Sequence, residues 1–236
     1  MHSFVDAFSF IAGHGQVLLS KLAVHMIISG EAIAISILIG LPLGVVLGHA
    51  HRLSFLAINI SNLGRALPSL AVLSILLPVL GIGRTDVIVA LVVLAFPPIL
   101  TNSYVAVDQV DGDTVDAARG IGMRPWEVLL KVEIPLALPV IFAGIRTSAV
   151  FVVATATLAG FFGGGGLGDI IANEESYRLA GIIAASYVLI VLAFASQVLL
   201  IGLERMLTPP GLRPRRNRRG PRPLPTAPDP ALTEVA

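Results

Sequence analysis

Cysteine is missing from all 236 residues, which excludes disulfides, thiolate metal sites and cysteine nucleophiles. It leaves the compartment open. Charge is scarce too: 13% of residues are Asp, Glu, Lys or Arg while 55% are apolar. An ordinary soluble domain carries about 25% charged residues, so this composition belongs in lipid. The nucleotide-cradling pattern G-x-x-x-x-G-K-[ST] is also missing, and the glycine run at Gly163–Gly168 has no lysine behind it. The start, MHSFVDAFSF, has no basic stretch ahead of an apolar one, so no cleaved signal peptide is expected. No internal repeat is visible. A single membrane domain with a short tail is the economical reading.

What is present is a series of apolar segments. Residues 1–20 are mildly apolar, with Phe4, Phe8 and Ile11 at helical spacing and a break at Gly13, His14 and Gly15. They predict either a helix in the membrane interface or a disordered leader. Leu22 to Gly48 is long enough to span a bilayer core, which takes about 20 residues as helix. Its Glu31 either reaches the interface or faces a water path or partner. Leu53 to Leu80 would be about 42 Å long as a helix, which suits one tilted span. Asn59, Asn62, Arg65 and Ser69 recur on one face of it, and Pro68 predicts a kink. A guanidinium in mid-membrane is too costly to meet lipid. The face from Asn62 through Arg65 and Pro68 to Ser69 therefore lines a solvated pathway or makes a structural ion pair. Val87–Val107, Val140–Phe162 and Ala180–Leu203 complete five spans, in an all-α membrane protein.

From residue 207 the composition turns to proline and arginine, with almost nothing apolar to bury, so residues 207–236 are expected to be disordered. With no nucleic-acid-binding fold around it, the basic cluster marks the cytoplasmic side and meets anionic lipid headgroups. Five spans then put the N-terminus outside and Asp108–Pro139 in the cytoplasm. Arg52, Arg119, Arg124, Lys131 and Arg205 fall inside, and Lys21, Arg84 and Arg178 outside. Were Leu53–Leu80 two helices, the N-terminus would move inside and nothing after it would change.

Asp108–Pro139 is the one charged, well-punctuated interruption. Asp113 or Thr114 can cap a short helix through Asp116, Ala117, Ala118 and Arg119. Gly120 and Gly122 end it, and Pro125 opens a second helix carrying Trp126, which Pro135 closes. Caps and breakers of this kind predict order in a connection this long. Small Ala117, Ala118 and Gly122 would let another surface approach closely.

At these residues the chain resembles a known family. Asp116-Ala117-Ala118, Gly122 and Val132-Glu133-Ile134-Pro135 are similar to the EAA loop of permease subunits in binding-protein-dependent ABC importers, with three conservative departures at Asp116, Val132 and Ile134. Arg65-Ala66-Leu67-Pro68-Ser69 resembles an element of the second core helix of that family. Gly163–Asp169 resembles its glycine-rich outer segment. The resemblance runs from about Ser29 to Leu203 and is strongest to the glycine betaine, carnitine and choline branch; the methionine and amino-acid branch shares much of this vocabulary.

The resemblance implies a type I importer permease with a methionine-importer-like core at residues 21–206, in a bacterial cytoplasmic membrane. It would have no catalytic residues, cofactor or metal of its own. Asp116, Ala117, Ala118, Gly122 and Trp126 would couple to a separate dimeric ATPase. An extracytoplasmic binding protein would deliver substrate, and a second permease copy or a homologue would complete the pathway. Gly165, Gly166, Gly168 and Asp169 would lie at the outer gate, as a hinge or as a loop without a gating role. A remote alternative is an intramembrane aspartyl protease, since Gly166-Leu167-Gly168-Asp169 matches its GxGD signature. That chemistry needs a second facing aspartate, and none is expected in another span.

Overall fold

The structure is a computed structural model that describes residues 2–51, 55, 59, 64 and 66–208. Asn62, Arg65 and most of the 207–236 tail lie outside these. The described residues form an all-helical bundle in which four helices are long and apolar enough to cross a membrane.

α1 (His2–Gly13) precedes α2 (Gly15–His49), which starts seven residues before the expected Leu22 and breaks from α1 at His14. α1 packs on α9 (Glu174–Leu207) through ring contacts between Phe8 and Tyr187 and between Phe10 and Tyr177. Phe55, Asn59, Gly64 and Ala66 are helical, but the helix is broken rather than kinked at Leu67 and Pro68. Pro68 is extended, with ψ of 124°. Its ring also pushes the preceding residue out of the helical region. α3 (Ser69–Leu80) then restarts the helix, and at 12 residues it is too short to span alone.

α4 (Arg84–Asp108) packs closely on α2. Gly40, Gly44 and Gly48 form the seam, one small residue per turn, as close-packed membrane helices require. A Cβ at Gly44 would stand 2.5 Å from Leu100 O, and one at Gly48 would stand 2.6 Å from Tyr104 O. Contact partners on α4 rise with the numbers on α2, so the two helices run parallel. An odd number of crossings must therefore lie between His49 and Arg84, and Leu53–Leu80 counts as one span rather than two.

The chain continues through α5 (Gly112–Gly120), α6 (Pro125–Val128), a π-turn (Leu129–Glu133) and α7 (Ile134–Thr155). Pro135 does not close the second helix as expected. The π-turn bonds Ile134 N–H back to Leu129 O, five residues away, and Pro135 falls at the start of α7 where its missing N–H is tolerated. A 3-10 stretch (Ala156–Phe162) and α8 (Leu167–Ala172) lead to α9, which is kinked at Arg178 with φ of 54°. The core joins α2, α4 and α7 around Ile28, Leu91, Leu94 and Val152. Buried polar groups bond across it: His25 Nε2 donates to Val153 O at 2.9 Å, and Ser148 Oγ to Ala95 O at 2.9 Å.

Candidate functional site

The loop between α4 and α7 is a folded unit. Asp111, rather than Asp113 or Thr114, caps α5: its Oδ2 accepts from Thr114 N–H at 3.0 Å and from Thr114 Oγ1 at 2.7 Å. A cap reaches the N–H three residues on, which makes Thr114 the donor partner. The Thr114 hydroxyl, and after it the Thr114 amide, hold the Asp111 carboxyl below the usual carboxylate range. At the other end Gly120 remains helical. Gly122, with φ of 90°, turns the chain. Met123 N–H bonds Ala118 O at 3.2 Å and Gly122 N–H bonds Arg119 O at 2.9 Å, the paired closure of a Schellman end. Pro125 then opens α6, and Glu127 Oε2 accepts from Arg124 N–H at 3.0 Å.

Val115, Ala118 and Val128 are buried within this unit, with Val110, Met123 and Val132 against them. Ala118 therefore helps hold the loop together instead of offering surface, because it is buried in the cluster with Val115 and Val128. Asp116, Ala117, Gly122 and Trp126 are exposed. Ile121 is exposed as well, at 78%, compared with 54% for Trp126. Only its setting marks Ile121 in the sequence, an apolar residue between two glycines of a polar turn.

A cavity of about 430 Å³ opens between the second crossing, α4 and α7. Gly64, Leu67 and Ser69 line one side, Leu94, Pro98 and Asn102 the second, and Thr147 and Phe151 the third. Of the polar stripe, Ser69 lines this cavity, Pro68 is exposed beside it, and Asn62 and Arg65 fall outside the described residues. Asn102 and Thr147 join Ser69 as polar lining, and neither was singled out from sequence because each needed a neighbouring helix to acquire a role. Gly64 lets the second crossing approach Pro97, whose Cγ would be 2.4 Å from an added Cβ.

At the bundle end away from the loop, Gly165 and Gly166 take φ of 86° and 87°. Gly166 lies against His25, 3.3 Å from its Cα on adding a Cβ. Gly168 is pressed on the 3-10 stretch, where an added Cβ would meet Thr157 O at 2.0 Å. Asp169 Oδ2 meets Lys21 Nζ at 2.5 Å. Its partner is an ammonium group, not the second carboxylate that a proton-sharing pair requires. Nearby Glu31 is paired with Arg84. Among the described residues no cluster could hold a metal ion.

A family model described as the binding-protein-dependent transport system inner membrane component matches residues 36–209. The chain is 40% identical over 206 residues to the glycine betaine/carnitine/choline transport system permease protein OpuCB of Bacillus subtilis (strain 168), covering 87% of this chain and 95% of that one. It is 41% identical over 214 residues to the choline transport system permease protein OpuBB of the same organism, covering 90% and 97%. Among solved structures it resembles a chain of the MetNI methionine ABC transporter in an inward-facing conformation. The TM-score there is 0.73 at 24% identity, over 81% of this chain and 96% of that one.

Proposed function

The chain belongs to the family of binding-protein-dependent transport system inner membrane components, and from that premise we propose that it forms part of an ATP-driven passage for a small quaternary-amine osmoprotectant, moved by a separate ATPase seated on the 108–139 loop. The observation that carries this is the loop itself: an ordered helical pair whose tight Gly122 turn leaves Ile121 and Trp126 bare. Fully burying a side chain of this size is worth about 1.5–3 kcal/mol, so a cleft that accepts the turn gains affinity from both. Asp116 and Ala117 are exposed on the same loop, and Ala118 is buried within it.

The permease holds inward-facing and outward-facing arrangements within a few kcal/mol of each other, and its partners bias that balance. Closure of an ATPase dimer displaces the loop and, through its ends, α4 and α7. These two helices carry Asn102, Thr147 and Phe151 of the cavity, so the displacement reshapes the proposed pathway, which Ser69 lines from the other side. A second copy or a homologous permease completes the passage. The chain has no catalytic role of its own, with the loop end and Arg-rich tail cytoplasmic and the N-terminus outside. A binding protein delivers substrate near Gly165, Gly166, Gly168 and Asp169.

The substrate class follows the names of relatives about 40% identical. Phe151 offers an aromatic face of the kind that attracts quaternary ammonium groups. The likeness to a methionine importer is at 24% identity and bears on the fold. Gly122→Asp tests the loop. In proteoliposomes with ATPase and binding protein it should leave insertion intact and abolish ATP-dependent uptake, because a charge at the tip cannot enter the cleft. Uptake at the wild-type rate would refute the docking role. Competition of choline, glycine betaine and carnitine against methionine in the same vesicles reads the substrate class.

A further inference from the structure

One helix end grips both ends of the coupling loop. Asp108 closes α4 where the loop departs, and Glu133 ends the π-turn where the loop rejoins α7. His49, the last residue of α2, brings Nδ1 to 2.6 Å from Glu133 Oε2, and Glu133 is 1% exposed. Two residues on, His51 brings Nδ1 to 2.9 Å from Asp108 Oδ1. His51 does so from a left-handed backbone with φ of 48°, a conformation unfavourable for residues bearing a Cβ. Gly48 permits the approach beneath, since any side chain there would collide with Tyr104 O.

Covalent connection alone would let the loop drive α4 and α7. The two histidines add α2, which has no peptide link to the loop. A buried carboxylate stripped of its partner is costly, so the Glu133 contact favours staying closed while the surrounding parts move. From His49, α2 runs 35 residues to Gly15, about 52 Å at 1.5 Å per residue. On the way it carries Glu31, bound to Arg84, then His25, bound to Val153 O and packed on Gly166, and finally Lys21, bound to Asp169.

We propose that His49 and His51 are positioning residues that make α2 move with the coupling loop, so that displacement of the loop reaches the Lys21–Asp169 end along a single helix. The proposal rests on the loop being the ATPase contact. Its test uses the complete transporter in proteoliposomes, with ATP hydrolysis and uptake measured together, using whichever of radiolabelled choline, glycine betaine, carnitine or methionine the wild type carries. Uptake per ATP does not depend on how much complex assembles. In His49→Ala and in Glu133→Gln, the ATPase should stay bound and active while uptake per ATP falls about two- to thirtyfold, the span of coupling energies in packed networks.

Because the chain has no cysteine, a His49→Cys/Glu133→Cys variant can be bridged by a short bifunctional methanethiosulfonate. The bridge should restore the uptake per ATP that the unbridged variant has lost. An unchanged ratio in both single variants overturns the proposal. So does a bridge that fails to restore the ratio or that stops uptake, since the pair would then have to open during the cycle. Loss of the ATPase from the single variants also overturns it, by assigning the pair to the docking surface. Gly122→Asp, run alongside, reports on the docking role separately: uptake that survives it sinks that role whatever the histidine variants do.

Discussion

Replacing Gly168 by alanine adds one methyl group at the tightest backbone contact that the glycines make. That methyl would stand 2.0 Å from Thr157 O and 2.9 Å from Gly160 N. Ordinary van der Waals contact begins at 3.4 Å, so the obstruction exceeds an ångström. Both obstructing atoms are main chain and cannot rotate away, as a side-chain tip could. Overpacking usually costs about 1–3 kcal/mol; with backbone on both sides, about 3 kcal/mol is expected, more than a hundredfold in the folded ratio.

Gly160→Ala strikes the same contact from the other side, 2.2 Å from Gly168 C. The two costs should therefore fall short of additivity in the double variant. Gly202→Ala is the internal control, because nothing lies within 4 Å of a Cβ there. The assay is the fraction of detergent-solubilised protein that stays monodisperse through a temperature series. Gly168→Ala matching Gly202→Ala in that series would refute the close approach of α8 to the 3-10 stretch.

Arg146 on α7 meets Glu204 on α9 at 2.5 Å, with side chains 23% and 16% exposed. Removing either partner alone should cost about 3–5 kcal/mol, whereas the double replacement Arg146→Met/Glu204→Leu should cost much less; the same melting series separates them. The Asp111 cap should persist as pH falls through the usual carboxylate range and fail only below it. Its folded carboxyl is held down by Thr114, so the stability it adds is complete above the unfolded value and disappears as pH drops through the folded one. The Thr114 amide chemical shift in nanodiscs reports this. A midpoint at the ordinary aspartate value would contradict the hydrogen bonds, and Asp111→Asn should flatten the titration.

Much of the 108–139 loop was legible because its punctuation is local. Gly122 has to be glycine for a positive φ, Pro125 has to begin a helix, and neither depends on distant residues. The cap is Asp111 rather than Asp113 or Thr114, because each of these side chains could cap a helix beginning just after it and only the folded backbone sets where the helix begins. Ala118, expected at the surface, is buried for a similar reason. It sits on a short helix whose rotation is set by the cluster it shares with Val115 and Val128. Pro135 ended a helix on paper. In the fold a π-turn absorbed it, which no single-residue rule anticipates.

By itself the sequence determined that this chain lives in a membrane, since charge this sparse cannot cover a soluble surface. It also determined that one ordered, breaker-bounded loop interrupts the helices, and its EAA-like residues pointed to the family to which the chain belongs. Tertiary structure decided what depends on which helix faces which. The parallel run of α2 and α4 makes Leu53–Leu80 a single crossing. Asn102 and Thr147 become the lining of a cavity. His49 reaches Glu133 and His51 reaches Asp108, 84 and 57 residues further along the chain. Apolar periodicity records that a helix has a buried face, but it carries no address for the partner, and these contacts exist only once the partner is in place.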